Sequence, residues 1–470
     1  MPGLSDPVNR HRFGRIAVIC SALLLGACSV TPKKGPTEVA KEPTKVVTPV
    51  RDADIADLTR IPQKLAELPA VTDERLQIDP ACSTQLLDEF KNRYFSRWTT
   101  SVPLYDFEES RDFMKKEANG GWYGTNKRKV SRKLLQGLLE NCALKSFPSR
   151  NDTAIAVAPG HLRGLPTPMP FYEKINDEPF DMLSYPQVKL NEPLRVLHSS
   201  RDGVWLFVET AYSNGWLEAR DVALVDAELI DSWMQAPHLV IIRDYQAVSD
   251  GRGIGTFPAK IGTILPLAQT WEGWWEVRVA SAGEGGKAEI RTSRIPRAAA
   301  APFPLAFNKE NVTLIGDELL GQPYGWGELY DLRDCSALLR DFYMPFGIWL
   351  PRASSDQIAS VPRRVPLAEL AAPEKEKLIM GKSLPFLTLL FKPGHIILYA
   401  GEDREGRPLA FHAPWSVRVQ EGEGARKQIV GISAVTSFAL GKELGLVPGS
   451  SLLEKVTELG TVTDRCRTAK

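Results

Sequence analysis

Three residues in the last third of the chain have the types and order needed for nucleophilic catalysis: Cys335, His395 and His412. A free thiol is mostly protonated near neutral pH, so a nucleophilic cysteine needs a helix N-terminus, a nearby imidazole, or both. In "RDCSALLRDFY" Asp334 is a natural cap, and Ala337, Leu338, Leu339, Phe342 and Tyr343 form an apolar stripe. The pattern predicts a helix that starts at Cys335 and aims its dipole at the sulfur. In "FKPGHIILYAG" a Pro-Gly turn leads into a run typical of a buried strand, with His395 at its first position, and "LAFHAPW" sets His412 on the adjacent strand. A Cys, His, His order makes a coherent triad, the second imidazole holding the first in its productive tautomer. The competing chemistry is a Cys/His₂ zinc site. Structural zinc wants four ligands and catalytic zinc usually three at shorter local spacing, so no metal is expected.

The elements that must position these residues occupy only the end of a long chain. At 470 residues it should divide into three or four units. The 58 basic and 57 acidic side chains nearly cancel, which excludes the basic excess of a nucleic-acid binder. Leu86, Phe90 and Tyr94 share one helical face, and Leu134, Leu138 and Cys142 another, with "EANGGWYGTN" breaking the pattern between them. Residues 61–165 therefore read as a helical domain ending in the Pro-rich "LRGLPTPMPFY". Two related β-rich units follow. Leu197, Gly203, Trp205 and Phe207 align with Leu267, Gly273, Trp275 and Val277 at a constant offset of 70, and "SNGWLEARDVAL" supplies a further strand pair. Short strands, Gly-containing turns and Trp residues suit small antiparallel barrels over 166–232 and 233–300, which resemble bacterial SH3-like barrels.

The first residues bear on location. Arg10, His11, Arg12 and Arg15 precede the apolar run Ile16 to Leu25, too short to span a bilayer stably, and "LGAC" ends at Cys28. Residues 1–27 read as a secretory signal whose end resembles the lipobox of bacterial lipoproteins, with Cys28 lipidated; the alternative is an ordinary signal peptide with an incidental cysteine. Ser29 resembles the outer-membrane sorting pattern of Gram-negative bacteria, which implies a lipoprotein facing the periplasm. Residues 28–60 carry Pro, Lys, Thr and Val without apolar period and read as a tether. Setting aside Cys20 and Cys28 leaves Cys82, Cys142, Cys335 and Cys466. An oxidising exterior allows a bridge between Cys82, which opens one helix, and Cys142, which closes another; Cys466, in a polar tail (463–470), looks incidental.

Together "GQPYGWGELYDLRDCSALLRDFY", "LPRASSDQ", "PGHIILYAG" and "FHAPW" resemble the NlpC-type cell-wall cysteine peptidases, and in particular the multi-domain members with a helical N-terminal domain and two SH3-like barrels. The resemblance implies a papain-like α+β peptidase domain, here over 301–462. It implies hydrolysis of the γ-D-glutamyl to diamino acid bond of peptidoglycan stem peptides, without cofactor. Cys335 would be the nucleophile, His395 the general base and acid, and His412 its orienting partner. Tyr324 would help form the oxyanion hole, and Asp334 and Ser336 would help bind the free amine of a terminal L-Ala. A first-barrel acid completes that amine pocket in relatives, and Glu209, Glu218 and Asp221 are all candidates. Cys335 and His395 stand 60 residues apart, a long gap carrying the charged insert "AAPEKEKLIMGKS". Two rival functions use the same sequence: a non-catalytic wall-binding protein, against which the intact triad argues, and an acyltransferase or amidase on the same fold.

Overall fold

A computed structural model of the chain describes residues 55–466 apart from 252 and 254; Cys28, the signal and most of the tether lie outside the described residues. Among the described residues no helix is long and apolar enough to cross a membrane.

Helices Pro80–Tyr94 and Phe107–Asn119 begin at Asp79 and Asp106, whose carboxylates accept from the exposed amides of the first turn. The first helix buries Leu86, Phe90 and Tyr94, as its spacing requires. The later helix, Arg132–Asn141, buries Leu135 and Leu138 and leaves Leu134 38% exposed. Leu135, Leu138 and Cys142 follow a stripe one residue round from the expected one, because both rows satisfy helical spacing and only contact with the barrel chooses between them.

The first barrel is a seven-stranded antiparallel sheet that runs from Asp152–Ala156 to Val222–Leu224. Strands Asp152–Ala156 and Gly160–Arg163 thus belong to this sheet, although they fall on the helical side of residue 165. The second barrel combines a five-stranded sheet between His238 and Pro302 with the hairpin Gln246–Ser249 and Thr256–Ala259. Gly203 and Gly273, equivalent in the repeat, both turn their chains at positive φ, 73° and 75°.

In the last domain six strands pair in the order Arg364–Pro366, Glu458–Thr461, Thr388–Lys392, His395–Glu402, Pro408–His412 and Ala434–Ser437. The helix Cys335–Tyr343 packs on this sheet with every residue buried. The segment preceding the helical domain folds onto the same sheet: residues 56–60, within the expected tether, form a helix, and Asp57 accepts from the amide and hydroxyl of Ser437. The Gln63 side chain brackets the backbone of Val435.

The disulfide joins Cys82 to Cys466, not to Cys142. Cys142 is buried in the core shared by the helical domain and first barrel, with Leu138, Phe147 and Trp216, whereas Cys82 belongs to the core that includes the peptidase sheet. The expected pair therefore sits in two different cores. Cys466 ends a helical turn, Val462–Cys466, that lies against the Cys82 helix, where Gln85 donates to the carbonyl of Arg465.

Candidate active site

Cys335 is the first residue of its helix, and Asp334 caps it by accepting from the amides of Ser336 and Ala337. The amides of Ile396 and Ser336 face the sulfur. Ile396 follows His395 directly, so the strand that carries the imidazole reaches the thiol through its backbone. The thiol is pushed up to about 12, first by burial and then by the Asp334 carboxylate. Burial likewise holds His395 well below its usual value and His412 down at about 3, with Lys392 adding like charge. The resting site is thus a neutral thiol beside neutral imidazoles.

Strand register arranges the imidazoles. Lys392 and His395 pair across the Pro393-Gly394 turn, where Gly394 takes φ +78°, and His412 ends the neighbouring strand. His395 Nε2 lies 2.8 Å from His412 Nδ1, and His412 Nε2 lies 2.9 Å from Thr436 Oγ1. Thr436 is on the third strand, opposite Ala410 and so on the same face as His412. Its hydroxyl donates to the carbonyl of Ser437, 3.0 Å away, so Oγ1 accepts from His412 Nε2–H. His412 Nδ1 is then an acceptor, His395 Nε2 a donor, and His395 Nδ1 keeps its lone pair for the thiol proton; this tautomer follows from the hydrogen-bond network. Because the two rings bond to each other, their lone pairs do not converge on a shared metal position.

Tyr324 is half-buried, lines the same cavity as the two histidines, and packs 5.5 Å from Trp415. Burial, Asp334 and Cys335 all raise its pKa well above the phenol range, so it retains the proton that an oxyanion would accept.

Arg352, in "LPRASSDQ", carried no assigned role in the sequence reading. It donates to both oxygens of Asp334, to the Ser336 hydroxyl and to Glu328. Gln357 of the same segment donates to the carbonyls of Ser336 and Pro351, tying down the first turn of the nucleophile helix. Asp334 is therefore fully engaged as cap and ion-pair partner, and the Ser336 hydroxyl donates to it. Below them Arg333 pairs with Asp244 and Asp341, Arg340 with Glu328 and Asp341, and Lys189 with Asp341. This buried cluster joins the nucleophile helix to both barrels. Pairing is what makes such burial tolerable, since an unpartnered buried charge costs several kcal/mol, about 3–5.

The first barrel meets the site through the loop Trp326–Asp331. Gly327 takes φ +57° there, and a Cβ would stand 2.6 Å from the carbonyl of Ser184. His161 and Gln187 both bind the Asp331 carboxylate, and Phe180 packs edge-on against Trp326 and Trp415. The three candidate first-barrel acids have other partners or surroundings. Glu209 is buried against Arg97 at 2.5 Å and caps the amides of Leu104 and Tyr105; Glu218 pairs with Arg220; Asp221 is raised to about 6 by burial and by Glu218. None of these contacts reaches the nucleophile.

Comparison with known proteins covers the whole arrangement. Residues 17–147 match the model of the NLPC_P60 stabilising domain, N term; 170–218 match an SH3 domain of SH3b1 type, and 226–272 an SH3 domain of SH3b2 type. Residues 321–427 match the NlpC/P60 family. A solved NlpC/P60 endopeptidase from Photobacterium damselae subsp. piscicida superimposes with a TM-score of 0.77 at 22% identity, over 86% of this chain and 97% of that one. Dipeptidyl-peptidase 6 of Lysinibacillus sphaericus is 28% identical over 210 residues, 42% of this chain and 70% of that protein.

Proposed function

The chain belongs to the NlpC/P60 family of cysteine peptidases, and from that premise we propose that it hydrolyses the γ-D-glutamyl to diamino acid bond of peptidoglycan stem peptides. The observation that carries this reading is the placement of the Cys335 sulfur at the amides of Ser336 and Ile396, beside the His395, His412, Thr436 relay. His395 Nδ1 takes the thiol proton as sulfur attacks the γ-carbonyl, and the Tyr324 hydroxyl stabilises the oxyanion together with a backbone amide at the nucleophile. Collapse breaks the amide bond, the imidazolium gives its proton to the departing amine, and a thioester remains. Water, deprotonated by the same imidazole, then releases the γ-D-glutamyl acid and the thiol.

Two finer elements belong to the same proposal. In this reading the first barrel walls off one end of the cleft through Phe180, which is in edge-on contact with Trp326 and Trp415, and the wall favours stem peptides that end in a free L-Ala over those continuing into glycan. Since Asp334 is neutralised by Arg352, that preference rests on the first-barrel wall more than on the Asp334 charge. The test is incubation with L-Ala-γ-D-Glu-diaminopimelate and with its muramyl-linked form, the products read by mass. The free peptide should be cut at the γ-D-glutamyl bond and the linked form poorly. Cys335→Ala and Cys335→Ser should abolish cleavage with the fold intact; activity retained in Cys335→Ala would remove the nucleophile assignment.

A further inference from the structure

The loop Trp326–Asp331 runs between two groups of the site: Tyr324 lies two residues before it and Cys335 four residues after it. Its ends are tied side by side, since the amide of Gly325 donates to the carbonyl of Arg333 at 3.0 Å and Tyr324 pairs with Arg333 as a bridge. Between them three residues that are not glycine, Glu328, Tyr330 and Asp331, take left-handed backbone at φ 66°, 59° and 59°. A Cβ disfavours that region, and several such residues in one turn persist only where the surroundings over-determine them. Packing within the loop does not do so, for Tyr330 is 74% exposed. The barrels do. His161 and Gln187 of the first barrel donate to one oxygen, Asp331 Oδ1, and Ser184 donates to the carbonyl of Gly327. From the second barrel, Lys260 and the Tyr245 hydroxyl donate to the carbonyl of Asp331. Lys260 is buried, so its ammonium is spent on holding this one carbonyl. Asp331 is thus gripped by one barrel through its side chain and by the other through its backbone.

Taking the proposed reaction as given, we propose that Asp331 is a positioning residue for it: by holding the strained loop against both barrels, Asp331 fixes the Tyr324 hydroxyl relative to Cys335. The two ends of the loop are not equally firm. At the Cys335 end Arg333 is locked in buried ion pairs with Asp244 and Asp341, and Gln357 and Arg352 tie down the first turn of the helix. At the other end the amide of Tyr324 is held by the carbonyl of Gly431. A loop released from the barrels therefore relaxes at Tyr324 and leaves the nucleophile in place. An oxyanion donor must stand where the charge develops, and a shift of about 1 Å is enough to forfeit most of its effect. The barrels would then contribute to the chemical step itself, through a residue that touches neither substrate nor thiol.

The experiment measures kcat and KM on L-Ala-γ-D-Glu-diaminopimelate for the full chain, for Asp331→Ala and Asp331→Asn, and for each of these in a Tyr324→Phe background. Asn keeps the Oδ1 acceptor and tolerates left-handed backbone, so it should hold kcat within about twofold of the parent. Ala lacks the acceptor and should lower kcat at least about tenfold while KM stays within about threefold. In Tyr324→Phe the same Ala substitution should cost less than about twofold, because the hydroxyl it positions is gone. Alkylation of Cys335 by iodoacetamide should proceed in Asp331→Ala as in the parent. Undiminished kcat in Asp331→Ala or in Tyr324→Phe, or an equal factor lost to Asp331→Ala in both backgrounds, would overturn the inference. Altered alkylation would assign the loss to the nucleophile helix and overturn it equally. If Asp331→Ala does not fold, His161→Leu takes its place, a change at a partly exposed ring that reaches the loop through Asp331; its smaller loss should also vanish in Tyr324→Phe, and an additive loss would count against the inference. If the parent cuts no peptide, the reaction reading fails instead. The fluorine resonance of 3-fluorotyrosine at position 324, identified by its absence from Tyr324→Phe, then decides the positioning alone: it should move in Asp331→Ala and stay in Asp331→Asn, and a resonance unmoved in both would overturn the inference.

Discussion

Thr436 shows how much chemistry a residue can carry through position alone. Its hydroxyl hydrogen is committed to Ser437, which leaves only an acceptor for His412, and that choice passes through two rings to leave the lone pair on His395 Nδ1. Thr436→Val should lower kcat by about tenfold or more with little change in KM, since an unsatisfied buried N–H costs about 1–3 kcal/mol; Thr436→Ser should restore most of the rate. A Val variant with a normal kcat and pH profile would reduce Thr436 to packing. The histidines also couple stability to pH. A buried histidine whose folded pKa is depressed binds fewer protons folded than unfolded, so stability is intact above the unfolded value near 6.5 and is lost as pH falls below it. His412, held at about 3, should contribute roughly 1.4 kcal/mol of lost stability per pH unit in that window. Melting temperatures of the protein and of His412→Gln between pH 7 and 5 should diverge accordingly. Cys335, His395 and His412 were legible in the sequence because each has a local signature, a cap or a turn. Thr436 has none, since its meaning depends on strand register.

The nucleophile helix is the element on which the site depends, and its sequence states only half of its design. The apolar stripe and Asp334 announce a helix start. Its other face is ionic: Arg340 and Asp341 are fully buried, and their partners come from residues 189, 328 and 333. No periodicity reveals such pairing, because buried charges read as a solvated face until the opposing charges are placed. Arg352 is the clearest case. Arg352→Met should strand Asp334 and Glu328 without one of their counter-ions, costing about 3–5 kcal/mol in a denaturant melt. It should also make the thiol harder to ionise, since Asp334 opposes the thiolate and Arg352 offsets it, which would appear as slower alkylation by iodoacetamide. An Arg352→Met protein with unchanged stability and alkylation would show that the pair is dispensable. The shift of the buried stripe from Leu134 to Leu135 has the same origin, a choice made by the neighbouring domain.

At the scale of the molecule the barrels are built into the catalytic domain by buried ion pairs, with Asp244 of the second barrel on Arg333 and Lys189 of the first on Asp341. If Phe180 forms the proposed wall, Phe180→Ala should raise activity on muramyl-linked peptide relative to free peptide; an unchanged ratio would place the barrier elsewhere. The four-unit architecture could be read from repeats and periodicity, but the partner of Cys82 could not, because cysteine spacing carries no information about which cores adjoin. For Cys28 the proposal remains a lipid anchor that holds the protein to the outer membrane on its periplasmic side. Cys28→Ser should then lose incorporation of a labelled fatty acid, and label retained would exclude it. The bond between Cys82 and Cys466, 384 residues apart, has a topological consequence. It makes everything between those residues a closed covalent loop, so one backbone cut anywhere within it opens the loop without producing two molecules. A protein nicked once there should keep its full mass on a non-reducing gel and separate into fragments only after a reductant is added, so that a protease must cut twice between Cys82 and Cys466 before any of the enclosed chain can leave.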